Sequence, residues 1–279
     1  MRILRTVAPA LAAGFLAVAS PALSQPVDAA TPTYADLADL ADSARIVLIV
    51  QPRKVVRVEN ARAPGLKTGE GRFYVEARTQ ALVFGQGGIG ETLSYLVDLP
   101  LDARGRPPRL KRQDVILFAR PVPGRPREVQ LVSPGAQLAR TAPTEATLRA
   151  ILLELASPDS PARVTGVREI IHVPGTLAGE GETQIFLATD DGSAASLTVR
   201  RDAQGGTSWG ASFSELVADA GNPPRPETLE WYRLACFLPN RLPMGTNLSL
   251  DPASRRQAEA DYRLVLGGLG PCPRTLRQN

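Results

Sequence analysis

Between residues 45 and 132 the chain repeats one pattern, a short apolar or alternating segment followed by a turn rich in glycine and proline. Residues 45–51 read RIVLIVQ, and residues 72–84 place Phe73, Val75 and Ala77 at a spacing of two. Period-two alternation predicts a strand, because successive side chains of a strand point to opposite faces. Short strands joined by such turns predict a small antiparallel barrel or sandwich. Further strands are predicted at 54–59, 91–99, 114–120 and 128–132.

Helical spacing flanks this region on both sides. Thr33 and Asp36 form a capping-box pattern, which predicts a short helix from Tyr34 onward. Apolar residues three and four apart predict a second helix at 144–156. Five or six strands with one flanking helix suit a small OB-like barrel, which we assign to residues 33–140.

The second half of the chain predicts a different arrangement. After a linker helix at 141–162, strands are expected at 167–173, 183–189 and 195–201, and the Asp-Gly pair at 191–192 suits a hairpin turn. Helices are expected at 214–220, 227–237 and 252–267. Residues 163–279 therefore predict an α+β domain closed by C-terminal helices. The predicted fold class of the whole chain is α+β, mostly β.

Cys236 and Cys272 are the two cysteines of the chain. In an exported protein an even, low cysteine count indicates a disulfide. The bond would close a loop of about 37 residues and stabilise the fold by on the order of 4 kcal/mol in the chain-entropy model. It would also tie together the last two predicted helices. Two free thiols are the alternative, which an oxidising compartment disfavours.

The first 24 residues predict a secretory signal peptide. Arg2 and Arg5 precede an uncharged apolar run at 7–19, and small residues lead to a cleavage site after Ser24. The run is shorter than the roughly 20 apolar residues that span a bilayer. The alternative is an uncleaved N-terminal anchor. We expect a periplasmic or secreted chain that begins with a flexible lead at 25–32 and has no transmembrane segment.

The distribution of charge is uneven along the chain. Residues 104–127 hold eight basic residues against one acid, Asp114. A basic segment can attract anionic glycans, anionic lipids or an acidic protein face. Nucleic acid is disfavoured, because Phe118 is the one aromatic residue of the segment and nucleic-acid surfaces stack bases on aromatic rings. Solvated loops with no ligand remain the alternative. The candidate contacts are Arg104, Arg106, Arg109, Lys111 and Arg112.

Several short motifs match known signatures but fail on context. Residues 85–90 fit G-x-G-x-x-G, yet a strand pattern follows where a dinucleotide site needs a helix. Residues 206–210 fit G-x-S-x-G, but the one histidine, His172, precedes the serine. A lone histidine with paired cysteines gives no zinc pattern. We therefore assign no catalytic residue, no metal site and no cofactor.

The leading hypothesis is a non-catalytic binding or interaction module of a bacterial envelope. Its expected partner is an envelope protein or an anionic glycan or lipid. One alternative is a carboxylate-dependent hydrolase of envelope polymers, with Asp190, Asp191 or Glu169 as candidates. Another is a structural or assembly protein that docks through an apolar patch around Trp209, Phe213 and Leu216.

Overall fold

The computed structural model describes residues 31–215 and 219–276. The predicted signal peptide at 1–24, most of the predicted lead at 25–32, and Leu216 of the predicted apolar patch lie outside the described residues. From Pro32 onward the described residues form one compact unit.

A closed five-stranded barrel occupies the first half of this unit. The strand order is β1-β2-β3-β5-β4, and β4 returns to pair with β1. Neighbouring strands are antiparallel except β3 and β5, which are parallel. The barrel within an α+β, mostly β fold is therefore confirmed. The strands are β1 (Ile46–Arg57), β2 (Glu70–Phe84), β3 (Thr92–Pro100), β4 (Val115–Val122), β5 (Arg125–Leu131) and β6 (Gln137–Ala139), which extends the sheet beside β4.

The start of β1 is continuously apolar instead of alternating between apolar and polar residues. Residues 46–50 are each at most 2 % exposed, so both faces of β1 are buried here. This part of β1 pairs with β2 on one side and with β4 on the other. A strand that is buried on both faces becomes continuously apolar. The run RIVLIVQ thus marks the strand that closes the barrel.

Four α-helices accompany the strands in the described residues. The capping box predicted at Thr33 and Asp36 is confirmed, with the Thr33 hydroxyl accepting from the Asp36 N–H and the Asp36 carboxylate accepting from the Thr33 N–H. The first three helices pack against one another. Part of the predicted helix at 214–220 lies outside the described residues. The helices are α1 (Tyr34–Ser43), α2 (Ala142–Leu155), α3 (Leu229–Ala235) and α4 (Pro252–Leu269).

A second, four-stranded antiparallel sheet follows α2. Its order is β10-β9-β8-β7, and α4 packs against β7 and β8. The predicted hairpin is confirmed: Gly192, at the β8–β9 turn, has φ 79°, a left-handed conformation that glycine adopts without strain. The sequence patterns did not predict β10. The strands are β7 (Val164–Pro174), β8 (Gly181–Thr189), β9 (Ser196–Arg201) and β10 (Thr207–Ser212).

The predicted disulfide is present between Cys236 and Cys272, with the Cα atoms 5.2 Å apart. The tail beyond it then returns to α1. The backbone N–H groups of Thr275 and Leu276 donate to the Asp36 carboxylate at 3.0 and 3.1 Å. Arg274 donates to Asp39 at 2.6 Å. The last described residues are therefore held against the first helix.

Candidate functional site

The predicted basic residues lie on the loop 101–114, which joins β3 to β4. The backbone N–H of Leu101 donates to Gly69 at 2.8 Å, and that of Arg112 donates to Pro52 at 3.2 Å. Arg57 also donates to the Gly105 carbonyl at 3.4 Å. These contacts fasten the loop to the end of the barrel where β1 turns into β2. We call this loop together with that end of the barrel the basic end.

Arg104, Arg106, Arg109, Lys111 and Arg112 are all exposed on this loop. Arg106 forms an ion pair with Asp102, at 2.9 Å. Hydrogen bonds from the Arg106 backbone and side chain hold the pKa of Asp102 below its usual value. The other four basic side chains have no ion-pair partner in the described part of the chain. The loop therefore presents uncompensated positive charge.

Arg112 gives the loop a strained anchor. Its φ is 66°, in the left-handed region, which costs a side-chain-bearing residue about 1–3 kcal/mol. Hydrogen bonds to its backbone from both sides hold the conformation: its N–H reaches Pro52, and its carbonyl accepts from Gln51 Nε2 at 3.4 Å. The loop backbone is thus tied down next to its exposed charges.

Sequence reasoning missed other cations at this end. Arg57, Arg62 and Lys67 are exposed and belong to β1 or to the β1–β2 connection. In the sequence these residues lie more than thirty positions before residue 104. In the structure the hydrogen bond from Leu101 to Gly69 brings the β1–β2 connection beside the loop 101–114. Only the strand pairing reveals them.

The basic segment 104–127 is divided between two surfaces. The first residue of β4, Val115, pairs with Val50, whereas Ala119 pairs with Ile46 at the start of β1. Arg125 and Arg127 follow β4 and lie toward that second end of the barrel, where Arg125 pairs with Glu128 at 3.0 Å. The two basic loops therefore do not form one patch.

The glycine loop 85–90 lies at this second end as well. It joins β2 to β3, and no helix follows it, because β3 begins at Thr92. This order differs from the strand-to-helix turn of a dinucleotide site. Gly85 has φ 102°, and a Cβ there would collide with the Arg45 carbonyl oxygen. The loop needs glycine for close backbone packing, and it lies away from the basic end.

His172 belongs to a buried hydrogen-bond network. It is 8 % exposed, and its Nδ1 lies 2.8 Å from the Thr183 hydroxyl, which donates to Asp261. Since that hydroxyl has one proton, His172 Nδ1 must be the donor in the first contact. Burial lowers the pKa of His172. Arg201 and Gln257 also donate to Asp261, so this buried carboxylate is satisfied by groups of the chain itself.

The three carboxylates named for the hydrolase alternative either interact with residues close in sequence or lie in a turn. Asp191 accepts from the hydroxyl and N–H of Ser193, and these bonds lower its pKa and shape the β8–β9 turn. Asp190 precedes it in the same turn. Glu169 lies 3.7 Å from Arg168. Among the described residues no group of three or more His, Cys, Asp or Glu side chains could hold a metal ion.

The apolar patch named for the assembly alternative is partly packed. Trp209 and Phe213 are half-buried. A Cβ at Gly268 would lie 3.0 Å from the Trp209 ring, so that ring rests on α4. None of the described helices has the length and apolar character that crossing a membrane requires. Neither a protein-family model nor a curated protein matches the sequence.

Proposed function

We propose that this chain is an exported envelope protein whose barrel binds an anionic ligand without turning it over. The observation that carries the proposal is the set of four uncompensated cations on loop 101–114, Arg104, Arg109, Lys111 and Arg112. Charge-assisted hydrogen bonds to an anionic partner would use these groups. The signal-peptide pattern and the disulfide support an oxidising, extracytoplasmic location.

We further propose that the barrel is OB-like. The order β1-β2-β3-β5-β4, closed by β4 on β1 with β3 and β5 parallel, supports this assignment. OB folds bind oligonucleotides and oligosaccharides on strands 2 and 3 and on the flanking loops. On that face Val56, Tyr74 and Leu96 form an exposed row across β1, β2 and β3, and Val56 directly precedes Arg57 of the basic end. An apolar row beside cations favours an anionic glycan.

The disulfide fits the same location. Cys236 is the C-cap residue of α3, and Cys272 follows α4 by three residues. We infer that the bond ties these two helices together and secures the tail that returns to α1. An exported protein works without the reducing conditions that would open the bond.

The test compares charge reversal at two places on the surface. The double variant Arg109→Glu/Lys111→Glu changes two exposed, unpaired cations of the basic end. The matched control, Arg127→Glu/Arg256→Glu, makes the same change at exposed positions elsewhere. Binding to immobilised lipopolysaccharide and to phosphatidylglycerol vesicles is measured at low and high salt. We expect salt-sensitive binding that the first variant abolishes and the control retains. Full binding by the first variant would refute the assignment.

One observation favours the assembly alternative. Met244, Leu248 and Leu250 are exposed on the segment that follows α3, and the Leu248 N–H donates to the Ile170 carbonyl of β7, the edge strand of the second sheet. A row of exposed apolar side chains beside a sheet edge suits a protein partner. Capture from envelope extract of a protein that high salt does not release, and that Leu248→Ser/Leu250→Ser no longer retains, would support this function.

A further inference from the structure

A polar cavity opens at the second end of the barrel, away from the basic end. Its volume is about 480 Å³. Three arginines reach it from separate parts of the chain: Arg45 precedes β1, Arg120 lies in β4, and Arg163 precedes β7. The other lining residues are Asp42, Ser43 and Ala44.

The arginines carry hydrogen-bond donors that the described part of the protein does not use. Nε and Nη2 of Arg120 donate to the Ser43 carbonyl at 3.2 and 3.1 Å, which fixes the guanidinium and leaves Nη1 free. Arg45 has no described side-chain partner. The Nε–H of Arg163 is buried without an acceptor. A buried unpaired donor is rare and costs about 1–3 kcal/mol, whereas the unused donors of Arg45 and Arg120 belong to exposed side chains that a ligand can reach.

The charge of the cavity wall is also unbalanced. Asp42 is the one carboxylate among the six lining residues. Burial alone would raise the pKa of Asp42, but hydrogen bonds and charge from Arg233 and Arg163 hold it below its usual value, so it is ionised. Since those two arginines already share this carboxylate, Arg45 and Arg120 add positive charge with no counterion in the wall.

We propose that this cavity binds a phosphate group carried by a small polar molecule or by a lipid headgroup. Guanidinium forks match phosphate oxygens in pairs, and a phosphate offers enough acceptors for three arginines. The volume falls within the range of about 300–1,000 Å³ typical of small-ligand sites, so the cavity has room for the group that carries the phosphate. This site is independent of the basic end and of the function proposed there.

The test titrates the purified chain with glycerol 3-phosphate while NMR follows the arginine Nε–H signals. Arg45→Gln and Arg120→Gln remove exposed cavity cations without cutting an ion pair. Arg127→Gln makes the same change at an exposed arginine of β5 outside the cavity. We expect each cavity variant to weaken binding about tenfold, as the loss of one charge-assisted contact implies, and the control to bind normally. The Arg163 Nε–H signal should shift on binding.

Further probes separate the sources of the phosphate. Binding of glycerol 3-phosphate in solution supports a small soluble ligand, whereas binding only to phosphatidic acid vesicles supports a lipid headgroup. In either case Arg45→Gln must weaken it. Arg109→Glu/Lys111→Glu must leave the binding of glycerol 3-phosphate intact, and vesicle binding is compared with and without Arg45→Gln within that double variant, in which the basic end no longer attracts anionic lipid. The proposal is overturned if Arg127→Gln weakens binding equally, if succinate binds as tightly as glycerol 3-phosphate, or if no probe saturates.

Discussion

Replacing Asp42 by alanine should destabilise the protein strongly, because the buried guanidinium of Arg233 would lose its counterion. Arg233 donates through both terminal nitrogens to the two Asp42 oxygens at 2.9 Å, and its side chain is 5 % exposed. Without Asp42, the guanidinium keeps a hydrogen bond to the Pro161 carbonyl but has no counterion. Breaking a buried pair from one side typically costs about 3–5 kcal/mol. Arg163 also loses a partner, but it is exposed enough to regain water.

The assay is urea unfolding of the purified chain. With a slope of about 2–3 kcal/mol per molar urea, the expected loss lowers the midpoint by about 1–2.5 M. Asp114→Ala is the control, because Asp114 pairs with Arg140 at side-chain exposures of 31 and 38 %. Such exposed pairs contribute about 0–1 kcal/mol.

A second variant tests the cause. In Asp42→Ala/Arg233→Met the buried cation is gone as well, and a side chain of similar length fills its place. The double variant should therefore be more stable than Asp42→Ala alone, since removing both partners of a buried pair is often neutral. The argument that Arg233 needs Asp42 as its counterion is wrong if Asp42→Ala lowers the free energy of unfolding by less than about 1 kcal/mol. It is also wrong if the double variant is less stable than Asp42→Ala.

Three further predictions concern the bonds that hold the fold together. Cys236→Ser/Cys272→Ser should lower the free energy of unfolding by on the order of 4 kcal/mol, read from urea midpoints; an unchanged midpoint would show that the bond stabilises nothing. Burial would raise the pKa of Asp36, but hydrogen bonds that include those from the tail lower it overall, so stability should fall as pH drops below about 3.8 toward the lower folded value. Asp36→Asn should flatten that acid limb of the stability curve, and an equally steep limb would contradict this. Gly85→Ala should cost at least about 1–3 kcal/mol by thermal unfolding, since φ is 102° and the new Cβ would meet the Arg45 carbonyl; a wild-type melting temperature would show that the loop relaxes freely.

Features specified by neighbouring residues could be predicted from the sequence. The capping box at Thr33 needs only residues three apart, and the β8–β9 hairpin needs only a turn that tolerates left-handed glycine. The long alternation of β2 sets which of its faces is buried. The disulfide followed from the cysteine count and the predicted compartment. Each of these rests on a rule that operates within a short window or on composition.

The candidate sites depended on pairing between distant segments. The sequence showed one basic segment at 104–127, but the direction of β4 sends its two loops to opposite ends of the barrel. The pairing of β1 with β2 adds Arg57 and Lys67 to one end. A charge count along the chain contains none of this information.

The sequence by itself determined the periodicity of the helices and strands, the turns, the helix cap at Thr33 and the cysteine pair. Except for the cysteine pair, these features depend on backbone geometry and hydrogen bonds between residues close in sequence. Only the tertiary structure decided that β4 closes the barrel on β1 and that Arg45, Arg120 and Arg163 line one cavity. The physical reason is that hydrophobic burial is non-directional: it drives strands together, while side-chain packing and strand register select which distant residues meet.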